Sequence, residues 1–504
     1  MVSRVLGFAR DMIGSRMLGA SHANDAFNLA FLLPNIFRRL FAEGAFSSGF
    51  VPLFSRRLAT GGHEEAEKFS NEILAVFMPA LLLVTIVFEI FMPGFILLVA
   101  GQYQDVPGKF ELAVELTRWT FPYLLFISMV ALLAGVLNSL TKFAMAAFAP
   151  ALLNVALIIG LLVSPPDNVE TVRNMAIAVL LGGIAQFALC WLSVRKAGVH
   201  LHFGRPRLTP AVRELIVLIL PATAAAGVYQ ISQLFYAYFS AGLGEGALTK
   251  LSYADRLNQL PLSIIGTALG VAILPAISQA IARSDEDEAA DVQARAFDLS
   301  MLLTLPATLA LVVAAVPIIG ALFQGGEYSV EDALVTGNIL AILVTGLPAY
   351  VLVKVLTPAF YARKDVKTPV MIAMAVLFGG ILANVVLIPV MGIYSLATVT
   401  SASAWLNFFA LLGFLYARGH FRMPGWLAGR LARQLVAALA MAGALYALRL
   451  ALANWFFGSI GERFLGLAAL VGIGGAVYFT VAWMIGGMDK QAIKDLRTRR
   501  RPAE

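Results

Sequence analysis

Long apolar stretches, separated by short polar breaks, recur from one end of the chain to the other. Each stretch is close to the roughly 20 residues that a helix needs to cross the hydrocarbon core of a bilayer. No polar segment is long enough for a sizeable soluble domain, so the pattern predicts an all-α polytopic membrane protein. The predicted spans number about fourteen. They lie near residues 1–19, 24–50, 72–100, 113–139, 143–164, 174–195, 213–241, 252–280, 297–323, 333–361, 369–389, 393–417, 428–453 and 464–486.

The composition agrees with a protein that lies in lipid. Of its 504 residues, 60% are hydrophobic and 13% are charged, whereas soluble domains are roughly 25% charged. The single cysteine, Cys190, lies in an apolar run, which excludes a disulfide framework and a cysteine metal site. All five histidines lie in predicted loops or at their edges, so we expect no metal and no cofactor. The sequence contains no G-x-x-x-x-G-K-S/T phosphate-binding loop for ATP.

Basic residues are concentrated in alternate loops. One set of loops, with the C-terminal tail, contains Arg56, Arg57, Lys68, Lys142, Arg195, Lys196, Arg205, Arg207, Arg213, Arg283, Arg295, Arg363, Lys364, Lys367, Arg418, Arg422, Arg430, Arg433 and residues 490–501. The other set has little beyond Lys109, Arg173, Lys250 and Arg463. The positive-inside rule therefore predicts that both termini lie in the cytoplasm. Because the net charge of +7 is scattered over these loops, we expect no nucleic-acid partner.

An internal repeat has an offset of about 225 residues. The matching positions are Leu18-Gly19 with Leu243-Gly244, Pro34 with Pro261, Pro52 with Pro275, Pro79 with Pro306, Pro93 with Pro317, and Pro122 with Pro348. Six helices in each copy give both copies the same orientation, so we predict two six-helix lobes related by a parallel pseudo-two-fold axis. The predicted divisions are an N-lobe at 1–200, a C-lobe at 201–420, and two extra C-terminal helices with a basic cytoplasmic tail at 421–504.

The repeat also predicts an earlier start for the first helix. Helix seven begins near Arg213, so the matching first helix would begin about twelve residues before Met1. We therefore expect the start of the N-lobe to be truncated, and sequencing the native N-terminus tests this expectation.

Thirteen charged residues fall inside predicted spans or near their ends. They are Arg4, Arg10, Asp11, Arg16, Asp25, Arg38, Arg39, Glu43, Glu89, Arg118, Asp255, Arg256 and Lys354. A central arginine costs about 2.5–3.5 kcal/mol on insertion scales, so these residues must line water or pair with acids. Arg4 and Asp11 lie within about 20° on one helix face, so we expect them to pair, while Arg10 needs another partner. We expect Glu89 and Arg118, in the outer halves of successive helices, to pair as well.

Two interpretations of these charges are open at this point. Each charge alone is explained by an interfacial side chain or a structural ion pair, which we favour for Arg39 and Lys354. The set together is better explained by a cationic cavity, in which arginines from helices one, two and eight converge on an anion. The planar guanidinium group matches phosphate oxygens with two parallel hydrogen bonds.

Several segments carry a family resemblance. Residues 3–11 (SRVLGFARD), 25–27 (DAF) and 34–46 (PNIFRRLFAEGAF) resemble the lipid II flippase (MurJ/MviN) family. Residues 253–257 (YADRL), 273–275 (ILP), 353–356 (VKVL) and 360–369 (FYARKDVKTP) resemble further segments of that family. Together these segments cover helices one to ten.

The resemblance implies a fold of the multidrug/oligosaccharidyl-lipid/polysaccharide exporter type in the bacterial cytoplasmic (inner) membrane. It implies lipid II as substrate, a disaccharide-pentapeptide on undecaprenyl diphosphate, with membrane lipids as the other partners. The residues that match functional arginines of the family are Arg4, Arg10, Arg38 and Arg256. Asp25 matches a functional acid, and Asn35 and Glu43 lie in the same motif. Helices thirteen and fourteen are similar to those that form a groove for the lipid tail.

The same residues also bear on three other possible functions: another flippase, a drug/cation antiporter and a membrane enzyme. A flippase for another polyprenyl-linked oligosaccharide would share the cationic cavity but lack the specific motifs of helices one and two. A drug/cation antiporter would place acids in the cavity. A membrane glycosyltransferase or phosphatase would need a catalytic acid or histidine cluster, and none is visible in the sequence. We therefore expect a transporter and not an enzyme.

Overall fold

The computed structural model describes residues 2–41, 45–283, 285–456 and 458–488, and within these ranges the chain is helical, with one isolated β-bridge. Helices α1 to α8 are Val2–Leu18, His22–Phe41, Ala45–Ala100, Lys109–Thr120, Tyr123–Ser139, Phe143–Leu162, Asn168–Lys196 and Pro210–Ala241. Helices α9 to α18 are Ala247–Pro261, Thr267–Ala282, Glu286–Phe323, Val330–Leu343, Leu347–Ala362, Lys367–Met391, Tyr394–Ala417, Gly425–Ala451, Ala453–Phe456 and Ile460–Met484.

Ten helical segments of the described chain are long and apolar enough to cross a membrane, judged by length and composition. The prediction of an all-α polytopic membrane protein is confirmed, while the number fourteen stays a prediction. Helices α1, α2 and α9 are among those that fall outside the ten. These three helices carry most of the charged residues that the sequence places in the membrane.

Two predicted spans are interrupted at a proline. The predicted span 113–139 divides into α4 and α5 at Pro122. The predicted span 333–361 divides into α12 and α13 through a 3-10 turn that ends just before Pro348. Proline has no backbone N–H and its ring collides with the preceding turn, so a helix breaks or bends there.

Three other predicted spans differ from the observed helices in another way. α3 joins part of the span predicted at 24–50 with the one predicted at 72–100, and its direction changes at Gly62 (φ 71°, ψ −165°). The span predicted at 252–280 is α9 and α10 with a π-helical turn, Leu262–Gly266, between them. Hydropathy does not detect these features because they change the hydrogen-bonding pattern and not the polarity.

The chain forms two compact units, which are Met1–Thr249 with Gly325–Ser329, and Lys250–Gln324 with Val330–Glu504. Aromatic rings form much of the core of the first unit. Phe37 meets the edges of Phe88 and Phe121 at centroid distances of 4.7 and 5.6 Å, and Phe88 stacks on Phe121 at 5.0 Å. These pairs hold α2 and α3 against the boundary between α4 and α5.

A proline inside a helix also leaves the carbonyl four residues earlier without its usual donor. In a membrane no water is available to that carbonyl, so another protein group must donate to it. In α2, Pro34 frees the carbonyl of Ala30, and the Thr120 hydroxyl on α4 donates to this oxygen at 2.7 Å. The proline therefore links α2 to α4.

In the second unit, α11 contains two such prolines. The first, Pro306, frees the carbonyl of Leu302, to which the Tyr478 hydroxyl on α18 donates at 2.7 Å. Tyr478 is buried, so its hydroxyl and this carbonyl satisfy one another away from water.

The second proline of α11 has a donor on another helix. Pro317 frees the carbonyl of Val313, and Nη1 of Arg449 on α16 donates to it at 3.0 Å. Further along, Nη1 of Arg463 on α18 reaches the carbonyl of Gly320 at 3.3 Å. The backbone of α11 is therefore hydrogen-bonded to both α16 and α18.

The break between α12 and α13 is stabilised in the same way. The Ser401 hydroxyl on α15 lies 2.9 Å from the carbonyl of Ile342 and 3.0 Å from that of Leu343. The indole N–H of Trp405 donates to the carbonyl of Thr345 at 2.9 Å. Side chains of α15 thus donate to main-chain carbonyls at the irregular turn.

A polar cluster near the start of α16 attaches that helix to α11, whereas Arg449 lies near its end. Asp298 Oδ2 accepts from Arg430 Nη1 at 2.9 Å, and Oδ1 accepts from Gln434 Nε2 at 2.8 Å. Apolar residues of α16 and α18, including Met441 and Leu470, pack against α11. These contacts add to the hydrogen bonds that Arg449 and Arg463 make with the α11 backbone. The two C-terminal helices are therefore attached along the length of α11.

We expect Tyr478→Phe to lower the unfolding free energy by about 1 kcal/mol, because interhelical hydrogen bonds in membrane proteins average roughly 0.6 and reach about 1.7 kcal/mol. In a Pro306→Ala background the effect should be smaller, since alanine restores the backbone donor to Leu302. Thermal unfolding of the four proteins of this cycle measures the difference. Tyr446→Phe, at a ring that is 55% exposed on α16, is the control. An equal loss in both backgrounds would contradict the pairing.

Candidate functional site

Arg10 lies in a buried polar cluster where α1 packs on α6. It is 8% exposed, and its Nε donates to Asp11 Oδ1 at 2.9 Å while Nη1 donates to Asn154 Oδ1 at 3.2 Å. Nη2 completes the ion pair with Asp11. Asn154 Nδ2 donates in turn to the carbonyl of Ser3 at 3.1 Å. The guanidinium and the carboxylate therefore neutralise one another inside the first unit.

This arrangement differs from the pairing expected from helix periodicity. The structure pairs Asp11 with its neighbour Arg10 and not with Arg4, although adjacent residues diverge by about 100° on a helix. The arginine side chain is long enough to fold back across that angle. Arg4 is exposed and has no hydrogen bond or ion pair with any residue that the structure describes.

Asp25 is at the centre of a second cluster and is 1% exposed. Its Oδ1 accepts from the backbone N–H and the hydroxyl of Thr249, at 3.0 and 2.9 Å. Its Oδ2 accepts from the backbone N–H of Gly246 at 2.9 Å and from Lys109 Nζ at 3.0 Å. The first N–H groups of a helix have no partner within the helix. Asp25 therefore acts as an N-cap for α9, although it belongs to α2.

Lys109 is the cation of this cluster, which sequence reasoning placed only in a loop. It is 4% exposed, and its Nζ lies 4.0 Å from the centroid of the Tyr103 ring. The carboxylate of Asp25 and the face of the ring are both negative and compensate for the loss of water around the ammonium group. A lysine at the first position of a helix, next to an exposed turn, gives no sequence signal of such burial.

Glycines allow the loops around this cluster to approach closely. Gly246 has a left-handed backbone (φ 69°), and a Cβ there would lie 2.3 Å from the carbonyl oxygen of Ala20. Only glycine brings the N–H of residue 246 to Asp25 without this collision. Gly326 (φ 56°) is similar, since a Cβ would lie 2.1 Å from the carbonyl oxygen of Arg16.

The remaining candidates of the first unit lie near the end of α2. Asn35 Nδ2 donates to the carbonyl of Phe31 at 2.7 Å, so its amide stabilises the helix next to Pro34. Arg38 is half-buried on the last turns of α2. Glu43 lies outside the described residues.

In the second unit, Arg256 is exposed on α9. Its neighbour Asp255 is half-buried and accepts a hydrogen bond from Gln259. The π-helical turn follows, and there the Lys354 side chain lies against Gly266, where a Cβ would lie 2.9 Å from Lys354 Cδ. Of the charged residues that the sequence places in the membrane, the second unit therefore contains the cations Arg256 on α9 and Lys354 on α13.

Among the sequence-predicted site residues, the structure brings Arg10 into contact with Asp11 and gives Asp25 a full set of donors. Asn154, Lys109 and Thr249 complete these contacts. Asn154 carries a weak sequence signal, because it is an amide in an apolar span. The other two are recognisable only from the tertiary structure.

A family model described as Lipid II flippase MurJ matches residues 15–466. The chain belongs to the lipid II flippase MurJ family. Among relatives of the MurJ family, the "Probable lipid II flippase MurJ" of Rhizobium meliloti (strain 1021) is 40% identical over 502 residues, covering 98% of this chain and 93% of the relative. The "Lipid II flippase MurJ" of Burkholderia cenocepacia is 35% identical and covers 96% and 95%.

Solved structures agree with the MurJ assignment. The structure "Lipid II flippase MurJ, inward closed conformation" is 25% identical, has a TM-score of 0.78, and covers 96% of each chain. An inward-facing multidrug resistance MATE family transporter of the MOP superfamily is 15% identical with a TM-score of 0.70, over 83% of this chain and 93% of that one. The second similarity shows a shared fold. The resemblance seen in the motifs and the exporter-type fold are both confirmed.

We expect Asp25→Asn to lower the unfolding free energy by about 3–5 kcal/mol, the usual effect of removing one partner of a buried ion pair. The loss arises because Lys109 stays buried without its counter-charge. A double variant, Asp25→Asn with Lys109→Met, should be more stable than Asp25→Asn alone. Thermal unfolding of the purified chain measures all three.

The matched control is Glu115→Gln, which removes one of the two carboxylate partners of Arg173 at a half-exposed ion pair. Its effect should be much smaller, because water screens that pair. If Asp25→Asn were no more destabilising than Glu115→Gln, the capping role of Asp25 would be refuted.

Proposed function

We propose that the chain is a flippase for lipid II, which it moves from the cytoplasmic to the periplasmic leaflet of the bacterial inner membrane. The observation that carries this proposal is similarity over nearly the whole chain. A solved lipid II flippase covers 96% of the chain with a TM-score of 0.78. Because translocation changes no covalent bond, the chain is a transporter and not an enzyme.

The head group of lipid II carries a diphosphate, and the proposed binding groups are Arg4, Arg10, Arg38 and Arg256. A guanidinium group binds a phosphate with two parallel hydrogen bonds and keeps its charge when it leaves water. The exposure of Arg4 and Arg256 supports this role, because such side chains are accessible to an anion. Asn35 and Glu43 lie in the same motif and are proposed to contact the polar head group.

Arg10 would act by exchange of its partner. Its Nε and Nη2 now donate to the carboxylate of Asp11. The same edge of the guanidinium fits a phosphate, so a diphosphate that enters the cavity competes with Asp11 for it. In the absence of substrate the carboxylate keeps this buried charge compensated.

Asp25 is proposed as a positioning residue, because all four of its contacts are with protein groups. It caps α9, the helix that carries Arg256. Losing the cap would shift or loosen the start of this helix, and with it the binding arginine. Asp25 therefore affects substrate binding through α9 and not through direct contact.

The proposed mechanism is alternating access. The head group enters from the cytoplasm, the arginines replace its hydration, and rocking of the lobes at 1–200 and 201–420 opens the cavity to the other side. The undecaprenyl chain stays in lipid, guided by the helices within 421–504. Both termini are proposed to lie in the cytoplasm, as the distribution of basic loops favours.

Depletion of the chain in its native bacterium tests the proposal, with lipid II at the outer face measured by an enzyme or probe that cannot cross the membrane. We expect export to fall on depletion and to return with the parent gene. Arg38→Ala and Arg256→Ala should restore export at least about tenfold less well, the effect of losing one charge-assisted hydrogen bond. Neither residue belongs to the buried ion pairs described above, so these variants should still fold.

Arg295→Ala is the matched control, because this exposed arginine of α11 pairs only with nearby Asp291 in the described structure. It should restore export fully at equal protein levels. Undiminished export after depletion would reject the function. Full restoration by Arg38→Ala and Arg256→Ala would reject the binding site and leave the function in place.

A further inference from the structure

One side of α3 presents large apolar residues that no other part of the described chain covers. We call Leu82, Leu83, Ile86, Val87 and Glu89 the α3 face. Leu83 is 63% exposed, and the other three apolar residues are exposed as well. Many positions of a membrane protein face lipid in this way, so exposure alone does not identify a docking surface. Two further features distinguish the α3 face.

The first feature is its correspondence with a covered surface in the second unit. With Pro79 aligned to Pro306, the four apolar residues of the α3 face correspond to Leu309, Ala310, Val313 and Ala314 of α11. Those four residues pack against the core formed by α16 and α18. The repeat therefore places an open surface on α3 where α11 carries two helices.

The second feature is a carbonyl freed by proline. Pro93 removes the usual donor to the carbonyl of Glu89, as Pro317 does for Val313. On α11 the Arg449 guanidinium from α16 donates to the freed carbonyl at 3.0 Å. When Pro79 is aligned with Pro306, Pro93 lies three residues beyond the position that matches Pro317. The freed carbonyl of α3 is therefore rotated about the helix axis by only about 60° from the position of its counterpart in α11. It thus stays on the same side of the helix.

The Glu89 side chain adds a negative charge at this depth. It is half-buried, and its Oε1 is enclosed and has no hydrogen-bond partner among the residues described. The ion pair expected between Glu89 and Arg118 of α4 is not among those formed within the described chain. A carboxylate and a freed carbonyl on one residue, both within the membrane, call for a cationic donor.

We propose that the α3 face docks a transmembrane helix of another membrane protein, which carries an arginine or lysine at the depth of Glu89. The apolar residues of the face pack against that helix as their counterparts on α11 pack against α16. The basic side chain pairs with the carboxylate of Glu89 and donates to its carbonyl. The partner would thus repeat, between two proteins, the attachment that α11 makes within the chain.

The test uses a photocrosslinking amino acid, p-benzoylphenylalanine, placed at Leu83 or at Ile86 of the full chain in its native membrane. Leu382 of α14, which is 69% exposed, is the matched lipid-facing position. We expect a discrete adduct with a different polypeptide from Leu83 and Ile86, and none from Leu382. Peptide mapping of the adduct should place the crosslink in a transmembrane segment that contains an arginine or lysine.

Two variants link the adduct to Glu89. Glu89→Gln should reduce it about tenfold, the effect of losing one charge-assisted hydrogen bond, while Arg118→Gln should leave it unchanged. Protein level and melting temperature are matched to the parent before adducts are compared.

Several outcomes would overturn the proposal. These are crosslinks to lipid alone at Leu83 and Ile86, an adduct with a second copy of this chain, and an adduct that Glu89→Gln does not change. An equal loss in Arg118→Gln would also overturn it, since Glu89 would then act only through Arg118. The proposal does not depend on lipid II transport, which the depletion assay tests separately.

Discussion

Each proline within a membrane helix leaves one main-chain carbonyl without a donor, in surroundings where no water replaces it. In α2 the donor is the Thr120 hydroxyl, and in α11 the donors are Tyr478 and Arg449. Each of these side chains comes from a different helix. The prolines thereby favour particular helix pairs. They account for the contact of α4 with α2 and for the contacts of α16 and α18 with α11.

The same constraint applies at the start of a helix, where N–H groups without a helical partner need acceptors. The first N–H groups of α9 need an acceptor, and Asp25 supplies it from α2. Lys109 then balances the carboxylate. The charged residues of the membrane region therefore divide into those that satisfy the protein itself, such as Asp25 and Asp11, and those on accessible surfaces, such as Arg4 and Arg256.

The sequence alone predicts the class of fold and the helices that carry the charges, because both follow from local composition. The prolines are equally visible, and their repeat along the chain is found without a structure. The partners are not visible. Arg10 meets Asn154 from 144 residues away, and Lys109 reaches Asp25 across 84 residues. Helix periodicity favours Arg4 as the partner of Asp11, but a flexible arginine side chain reaches its neighbour instead.

The donors that attach α16 and α18 to α11 are directed at main-chain oxygens, which every amino acid possesses. The side chains at positions 302 and 313 are therefore irrelevant to these two hydrogen bonds, whereas the prolines four residues later and the donors Tyr478 and Arg449 are essential to them. During divergence of the family, α11 can accept many substitutions at its contact surface and keep its neighbours. A proline and its donor, by contrast, can be lost without penalty only together.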